Sequence, residues 1–100
     1  MTSKGEILDF LARNKDHFRD RYRIVKIGLF GSYARDEQAE NSDIDLIVEF
    51  ENNTPNLYDL KNDLRLYIKE NLNLNVDIAR EKYIKPIYRK SILKEAIYVD

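Results

Sequence analysis

The chain contains no cysteine and no tryptophan, one histidine, one methionine, two prolines and three glycines. Without cysteine, a disulfide framework and any Cys-based zinc site are excluded. A single imidazole, His17, excludes a His-rich metal site and any triad that needs a second one. Long apolar runs are missing as well. Residues 96–99 form one of the longest, far short of the roughly 18 residues of a membrane span. The N-terminal stretch MTSKGEILDFLARNKDHF is charged at helical spacing and has no apolar signal-peptide core. A cytoplasmic protein is therefore expected, with no membrane association. Nor does charge of one sign dominate. Seventeen Lys and Arg against 18 Asp and Glu leave a net charge of −1, so no general attraction to nucleic acid is expected.

What remains is globular in character, with 43% hydrophobic and 35% charged residues. A chain of 100 residues matches one domain, spanning 1–100, with a single modest core. No internal repeat or low-complexity tract is visible.

Local patterning alternates between two periods. Ser3 and Glu6 form a capping-box pattern, and Ile7, Leu8, Leu11, Phe18 and Tyr22 follow at helical spacing, predicting a helix over residues 3–22. Residues 23–30 switch to strand alternation, with Val25, Ile27 and Leu29 interleaved with Lys26 and Gly28. Gly31 and Ser32 break that strand, and YARDEQ after them can form a short helix. A second strand is predicted over 43–51, with Ile44, Leu46, Val48 and Phe50 on one face. Thr54 is a plausible cap and Pro55 a first helical residue for a helix carrying Leu57, Leu60, Leu64, Ile68 and Leu72. Residues 74–79 read as a third strand. Pro86 starts a last helix running to about Ala96, with Ile87, Leu93, Ala96 and Ile97 inward. The order is α-β-(α)-β-α-β-α. It predicts an α/β (α+β) sandwich, with helices packed on a small mixed sheet of about three strands.

The balanced charge conceals an asymmetry. Between Asp36 and Asp63 stand nine acids and one base, Lys61. Between Arg80 and Lys94 stand six bases and one acid, Glu81. The basic stretch is either a solvated helix face or a surface for an acidic partner. The seven tyrosines read mostly as core-edge residues with wet hydroxyls. Tyr83, Tyr88 and Tyr98 allow a partner interface instead. His17 sits one residue off the apolar stripe and reads as a solvent-flanking residue.

Chemistry concentrates in two short segments. In strand geometry Asp43 and Asp45 project from one face while Ile44 and Leu46 enter the core. Two adjacent carboxylates repel, so at least one is partly protonated unless a cation joins them. Mg²⁺ suits a few carboxylates plus phosphate oxygens. Asp77, between the core positions Val76 and Ile78, can join them if its strand pairs beside residues 43–51. Three acids around two metal ions suit in-line displacement at phosphorus, and Asp77 is then the one placed to take the acceptor proton. Gly31 lets backbone N–H groups approach phosphate oxygens, and the Ser32 hydroxyl adds a donor. Arg35 either steadies a triphosphate or caps the short helix. Tyr33 reads as packing against the first helix.

Gly31-Ser32, ten residues and then Asp43-Ile44-Asp45 resemble the nucleotidyltransferase superfamily that includes DNA polymerase beta and kanamycin nucleotidyltransferase. More narrowly, GSYARDEQAENSDIDLIVEF, the later VDIA and the closing ILKEAIYVD resemble the minimal nucleotidyltransferase (MNT) proteins, over nearly the whole chain. The resemblance implies transfer of a nucleoside monophosphate, with Gly31 and Ser32 on the phosphates and Asp43, Asp45 and Asp77 on Mg²⁺. It further implies an antitoxin that silences a HEPN-domain ribonuclease toxin by adding AMP from ATP to a tyrosine. The alternative is a non-catalytic antitoxin that neutralises the toxin by binding and occlusion. A free-standing antibiotic-modifying transferase is disfavoured, because a second domain to shape a small-molecule acceptor site is lacking. One position departs from the pattern. Asp36 stands where many relatives carry glycine, a residue free to take positive φ.

Overall fold

Residues 2–99 are described by a computed structural model. Two helices, not one, open the chain: α1 (Lys4–Arg13) and α2 (Lys15–Tyr22). Ser3 caps α1 as its sequence predicts, its side-chain oxygen accepting the Glu6 N–H at 3.2 Å. The single helix predicted over 3–22 breaks at Asn14, whose φ of −101° and ψ of 9° leave the helical region. Its side-chain amide donates to the Phe10 carbonyl at 2.9 Å, and its Oδ1 accepts the Tyr67 hydroxyl at 3.0 Å. Asparagine competes with the helix ladder for backbone partners in this way.

The sheet has four strands where three were expected: β1 (Ile24–Phe30), β2 (Ile44–Phe50), β3 (Val76–Arg80) and β4 (Ile97–Tyr98), in the order β3-β2-β1-β4. β1 pairs antiparallel with both β2 and β4. β2 and β3 pair in parallel, a join that needs a crossover, supplied by helix α3 (Leu57–Leu72). β4 is only two residues long, too short for alternation to reveal, and lies where the last helix was expected to end. It approaches β1 at Gly28, where a Cβ would meet the Tyr98 ring at 2.8 Å and the Ile97 carbonyl at 3.0 Å.

One face of the sheet carries the core. Ile44, Leu46, Val48 and Phe50 of β2 pack with Ile7 and Leu11 of α1, Phe18 of α2, and Leu64 and Ile68 of α3. Full burial of each such aliphatic side chain contributes about 1.5–3 kcal/mol before entropy is subtracted. The other face of β2 carries Asp45, Ile47 and Glu49, and there the chemistry collects.

Two helix starts differ in their outcome. α3 begins at Leu57 behind Asn56 in the left-handed region, with no side-chain cap. Thr54 is not the cap. It is buried after β2, and its hydroxyl donates to the Glu51 carbonyl at 2.6 Å. Helix α4 (Pro86–Glu95) begins with Pro86 as predicted, yet it buries no residue fully. Ile87, expected inward, is 81% exposed, while Leu93, Ala96 and Ile97 are half-buried. Among the described residues no helix is long and apolar enough to cross a membrane.

Candidate functional site

After β1 the chain does not form the short helix expected over YARDEQ. Gly31 is a bend and residues 32–36 are consecutive turns, closed by Arg35 N–H to the Gly31 carbonyl at 3.2 Å and Glu37 N–H to the Ser32 carbonyl at 2.9 Å. No helix N-terminus stands at Gly31, so the donors available there are the amides of the turn and its side chains. Gly31 has φ +77°, the left-handed region that favours glycine. A Cβ at this position would collide with the Asp45 carboxylate. The absent side chain is what lets the carboxylate lie against the turn. Ser32 is half-buried beside it, and Tyr33 is buried within the core. Asp36 has φ +57°, the conformation that glycine takes at no cost, and its carboxylate pairs with Lys4 Nζ at 2.8 Å.

The three predicted acids come to one end of the sheet. Asp45 is register partner to Phe30 on one side and to Asp77 on the other. Asp77 is exposed between buried Val76 and Ile78. Asp43 is exposed and immediately precedes β2, one residue outside the strand expected to contain it. Burial pushes the Asp45 carboxyl up to about 6, the charges of Asp77 and Asp43 push the same way, and Arg35 only partly opposes them. The partial protonation expected of the acid pair thus falls on Asp45. Among the described residues no three His, Cys, Asp or Glu side chains are drawn together tightly enough to hold a metal ion. The donor set nonetheless fits a hard dication: it is all carboxylate, it carries excess negative charge, and Asp45 is raised by burial and by its acidic neighbours. Beside Asp43 an open cleft of about 530 Å³ runs between residues 40–43 and the end of α3, lined also by Lys69 and Asn75.

One residue of the site was missed. Glu95, the last residue of α4, accepts the Gly31 N–H at 3.1 Å through Oε1. It also accepts Arg35 Nη1 at 3.0 and 3.3 Å. Arg35 has no helix to cap. It bridges Glu95 and Glu37, the latter at 2.8 Å. Glu95 and Gly31 lie 64 positions apart, and no local pattern links them.

The basic end divides in two. Arg80 is half-buried and clasps Glu49 at 2.7 and 3.1 Å, while Lys82 donates its backbone N–H to the same carboxylate at 3.0 Å. Arg89 donates to the Glu81 carbonyl at 2.7 Å. Lys82, Lys85, Lys90 and Lys94 are exposed. Tyr98 lies against the sheet, under Lys26 at 4.5 Å, whereas Tyr83 and Tyr88 are exposed. Tyr58 is exposed too, against its reading as a core-edge ring. His17 is exposed beside Tyr67 and Tyr22.

The family model described as "Nucleotidyltransferase domain" matches residues 11–99. The chain belongs to the nucleotidyltransferase family. Among its relatives, this nucleotidyltransferase is 44% identical over 101 residues to a Methanocaldococcus jannaschii protein provisionally named a protein adenylyltransferase, covering 99% of this chain and all of that one. It is 36% identical to protein adenylyltransferase MntA of Thermococcus cleftensis, over 99% of this chain and 98% of the other. A solved structure provisionally described as a minimal nucleotidyltransferase shares 32% identity and a TM-score of 0.77, over 96% and 95% of the two chains. At 18% identity, a chain of a complex described as a tri-AMPylated Shewanella oneidensis HEPN toxin with an MNT antitoxin shares the fold. Its TM-score is 0.61, over 91% of this nucleotidyltransferase and 70% of that chain.

Proposed function

We propose that this nucleotidyltransferase moves AMP from ATP onto a hydroxyl of a protein partner, a HEPN-domain ribonuclease toxin, and so acts as its antitoxin. The observation that carries this reading is the Asp45 carboxylate lying against Gly31 and in register with Asp77. An acid cluster is thereby built onto a turn whose backbone can approach phosphate. The names of its relatives supply the protein acceptor. The neighbouring HEPN–MNT complex, similar in fold, supplies the partner class.

Gly31, Ser32 and Arg35 seat the triphosphate through an amide, a hydroxyl and a guanidinium, the donor types that anionic oxygens favour. Asp43, Asp45 and Asp77 would hold Mg²⁺, two ions in this reading, which supplies neutralisation of triphosphate charge and polarisation of the acceptor hydroxyl. The acceptor oxygen, a tyrosine hydroxyl in this proposal, forms a bond to the α-phosphorus. The bond from that phosphorus to the β-phosphate oxygen breaks, pyrophosphate leaves, and the hydroxyl proton passes to Asp77. We place the whole activity in one domain.

ATP labelled at the α-phosphate, incubated with the purified toxin and Mg²⁺, tests the reaction. Label should appear on the toxin, and mass spectrometry should place it on tyrosine. Label transferred from the γ-phosphate instead would make the chain a kinase and overturn the proposal.

A second reading, a non-catalytic antitoxin that occludes the toxin, draws on one observation: the Gly31 amide and Arg35 are already engaged by Glu95. Cells carrying the toxin and an Asp43→Ala, Asp45→Ala double variant separate the two. Full protection favours occlusion, and lost protection with an intact complex favours catalysis.

A further inference from the structure

Two donors that the turn after β1 offers to an anion both point at one carboxylate. The Gly31 N–H meets Glu95 Oε1 at 3.1 Å, and Arg35 Nη1 meets Glu95 Oε2 at 3.0 Å and Oε1 at 3.3 Å. A carboxylate and a phosphoryl oxygen compete for such donors on equal chemical terms, through charge-assisted hydrogen bonds of similar length. Glu95 also sits on the acidic side of the site, where Asp43, Asp45 and Asp77 already gather. Bringing a fourth carboxylate there is unfavourable unless these donors hold it. Its side chain is 24% exposed, so water lies within reach once the donors are released.

We propose that Glu95 is an internal stand-in for a phosphate group. It would hold the Gly31 amide and the Arg35 guanidinium in the free protein and swing out when a nucleoside triphosphate enters. This rests on the nucleotide-site reading above and adds to it a built-in competitor. The fold supplies the means of release. Glu95 ends α4, a helix with no fully buried residue, so little packing opposes a shift of its last turn. The chain just beyond is anchored, because Tyr98 and Ile97 pair with Gly28 and Leu29. Motion is therefore confined to the Glu95 side chain and the end of α4. Triphosphate affinity is reduced by the fraction of molecules in which Glu95 occupies the donors.

Calorimetric titration tests this with three probes in Mg²⁺: an ATP analogue that cannot be cleaved between the α- and β-phosphates, inorganic tripolyphosphate, and adenosine. Glu95→Ala should bind the analogue and tripolyphosphate about tenfold more tightly than the native chain, the scale of one charge-assisted bond removed from competition. Adenosine, which has no phosphate to exchange with Glu95, should bind both equally. Glu95→Gln keeps an acceptor for the Gly31 amide and loses the charge that Arg35 prefers, so its gain should be smaller. It carries the test if Glu95→Ala melts too low to titrate. In ¹⁵N spectra, the Gly31 amide of the native chain should move on adding tripolyphosphate. If the native chain binds the analogue while both variants bind it no better, Glu95 is a brace for Arg35 and the proposal fails alone. If neither native nor variant chains bind the analogue or tripolyphosphate, the nucleotide reading falls and takes the proposal with it.

Discussion

Asp45 and Glu49 stand on the same strand and the same face of it, four residues apart, and meet opposite fates. Burial alone would raise the Glu49 carboxyl, but the Arg80 hydrogen bonds and the Lys82 and Phe50 amides hold it below its ordinary value. Asp45 is raised to about 6 by burial and by the charges of Asp77 and Asp43, with Arg35 opposing them only in part. One half-buried acid is matched by its surroundings and stabilises the join between β2 and β3. The other is left unmatched beside a glycine turn. An acid that folding leaves uncompensated is a candidate for chemistry, because its charge is available to something that binds.

The contrast can be broken at four points. The largest effect should come from Gly31→Ala. The new methyl requires positive φ of a non-glycine residue and displaces the Asp45 carboxylate, so stability should fall by about 2–3 kcal/mol and label transfer by at least about 100-fold. Denaturant melts and the α-label assay measure the two effects. Arg80→Ala should act on the other acid. With Glu49 half-buried and stripped of its clasp, stability should fall by about 1–2 kcal/mol. Transfer should persist wherever the variant is folded.

A smaller effect, of opposite sign, belongs to Asp45→Asn. The unfolded carboxyl titrates near 3.8 and the folded one near 6, so the folded chain holds the extra proton between those values. The stability this proton brings is complete below pH 3.8 and is lost as pH rises through about 6. At pH 7 the native chain carries ionised Asp45 at a cost of about 1 kcal/mol once solvent screening is allowed for. Asp45→Asn should raise the melting temperature by about 5 °C at pH 7, with the gain disappearing near pH 4. Mg²⁺ should raise the melting temperature of the native chain more than that of the variant. Smallest of all is Asp36→Gly. Relief of the left-handed conformation and loss of the Lys4 pair oppose each other, and the net change should stay within about 0.5 kcal/mol.

The Asp45 side of this contrast was legible in the sequence; the Arg80 clasp on Glu49, 31 positions away, was not. Alternation around Ile44, Leu46 and Val48 put Asp45 on the face opposite the core, and the same rule applied to Val76 and Ile78 brought Asp77 beside it. Both acids depend on period-two geometry, which a few residues suffice to express. Ser3 capped α1 because its partner is three residues away. Failures came where the deciding contact was distant or the segment very short. Asn14 stops α1 partly through Tyr67, more than fifty residues on. β4 is too brief to show a period. The turn after Gly31 replaces the expected helix, closed by bonds from Arg35 and Glu37 back to the Gly31 and Ser32 carbonyls. Glu95 lies in the closing ILKEAIYVD segment that resembles the MNT proteins, but nothing local says which donors its carboxylate meets.

The most direct test of the account compares Asp45→Asn with Glu49→Gln in one experiment. Transfer of α-phosphate label from ATP to the proposed HEPN partner is measured at a temperature where melts show both variants folded. Asp45→Asn should lose transfer by about 100-fold or more while melting at or above the native temperature. Glu49→Gln should keep transfer while melting lower. Native-level transfer by Asp45→Asn, or an equal loss in Glu49→Gln while still folded, would contradict it.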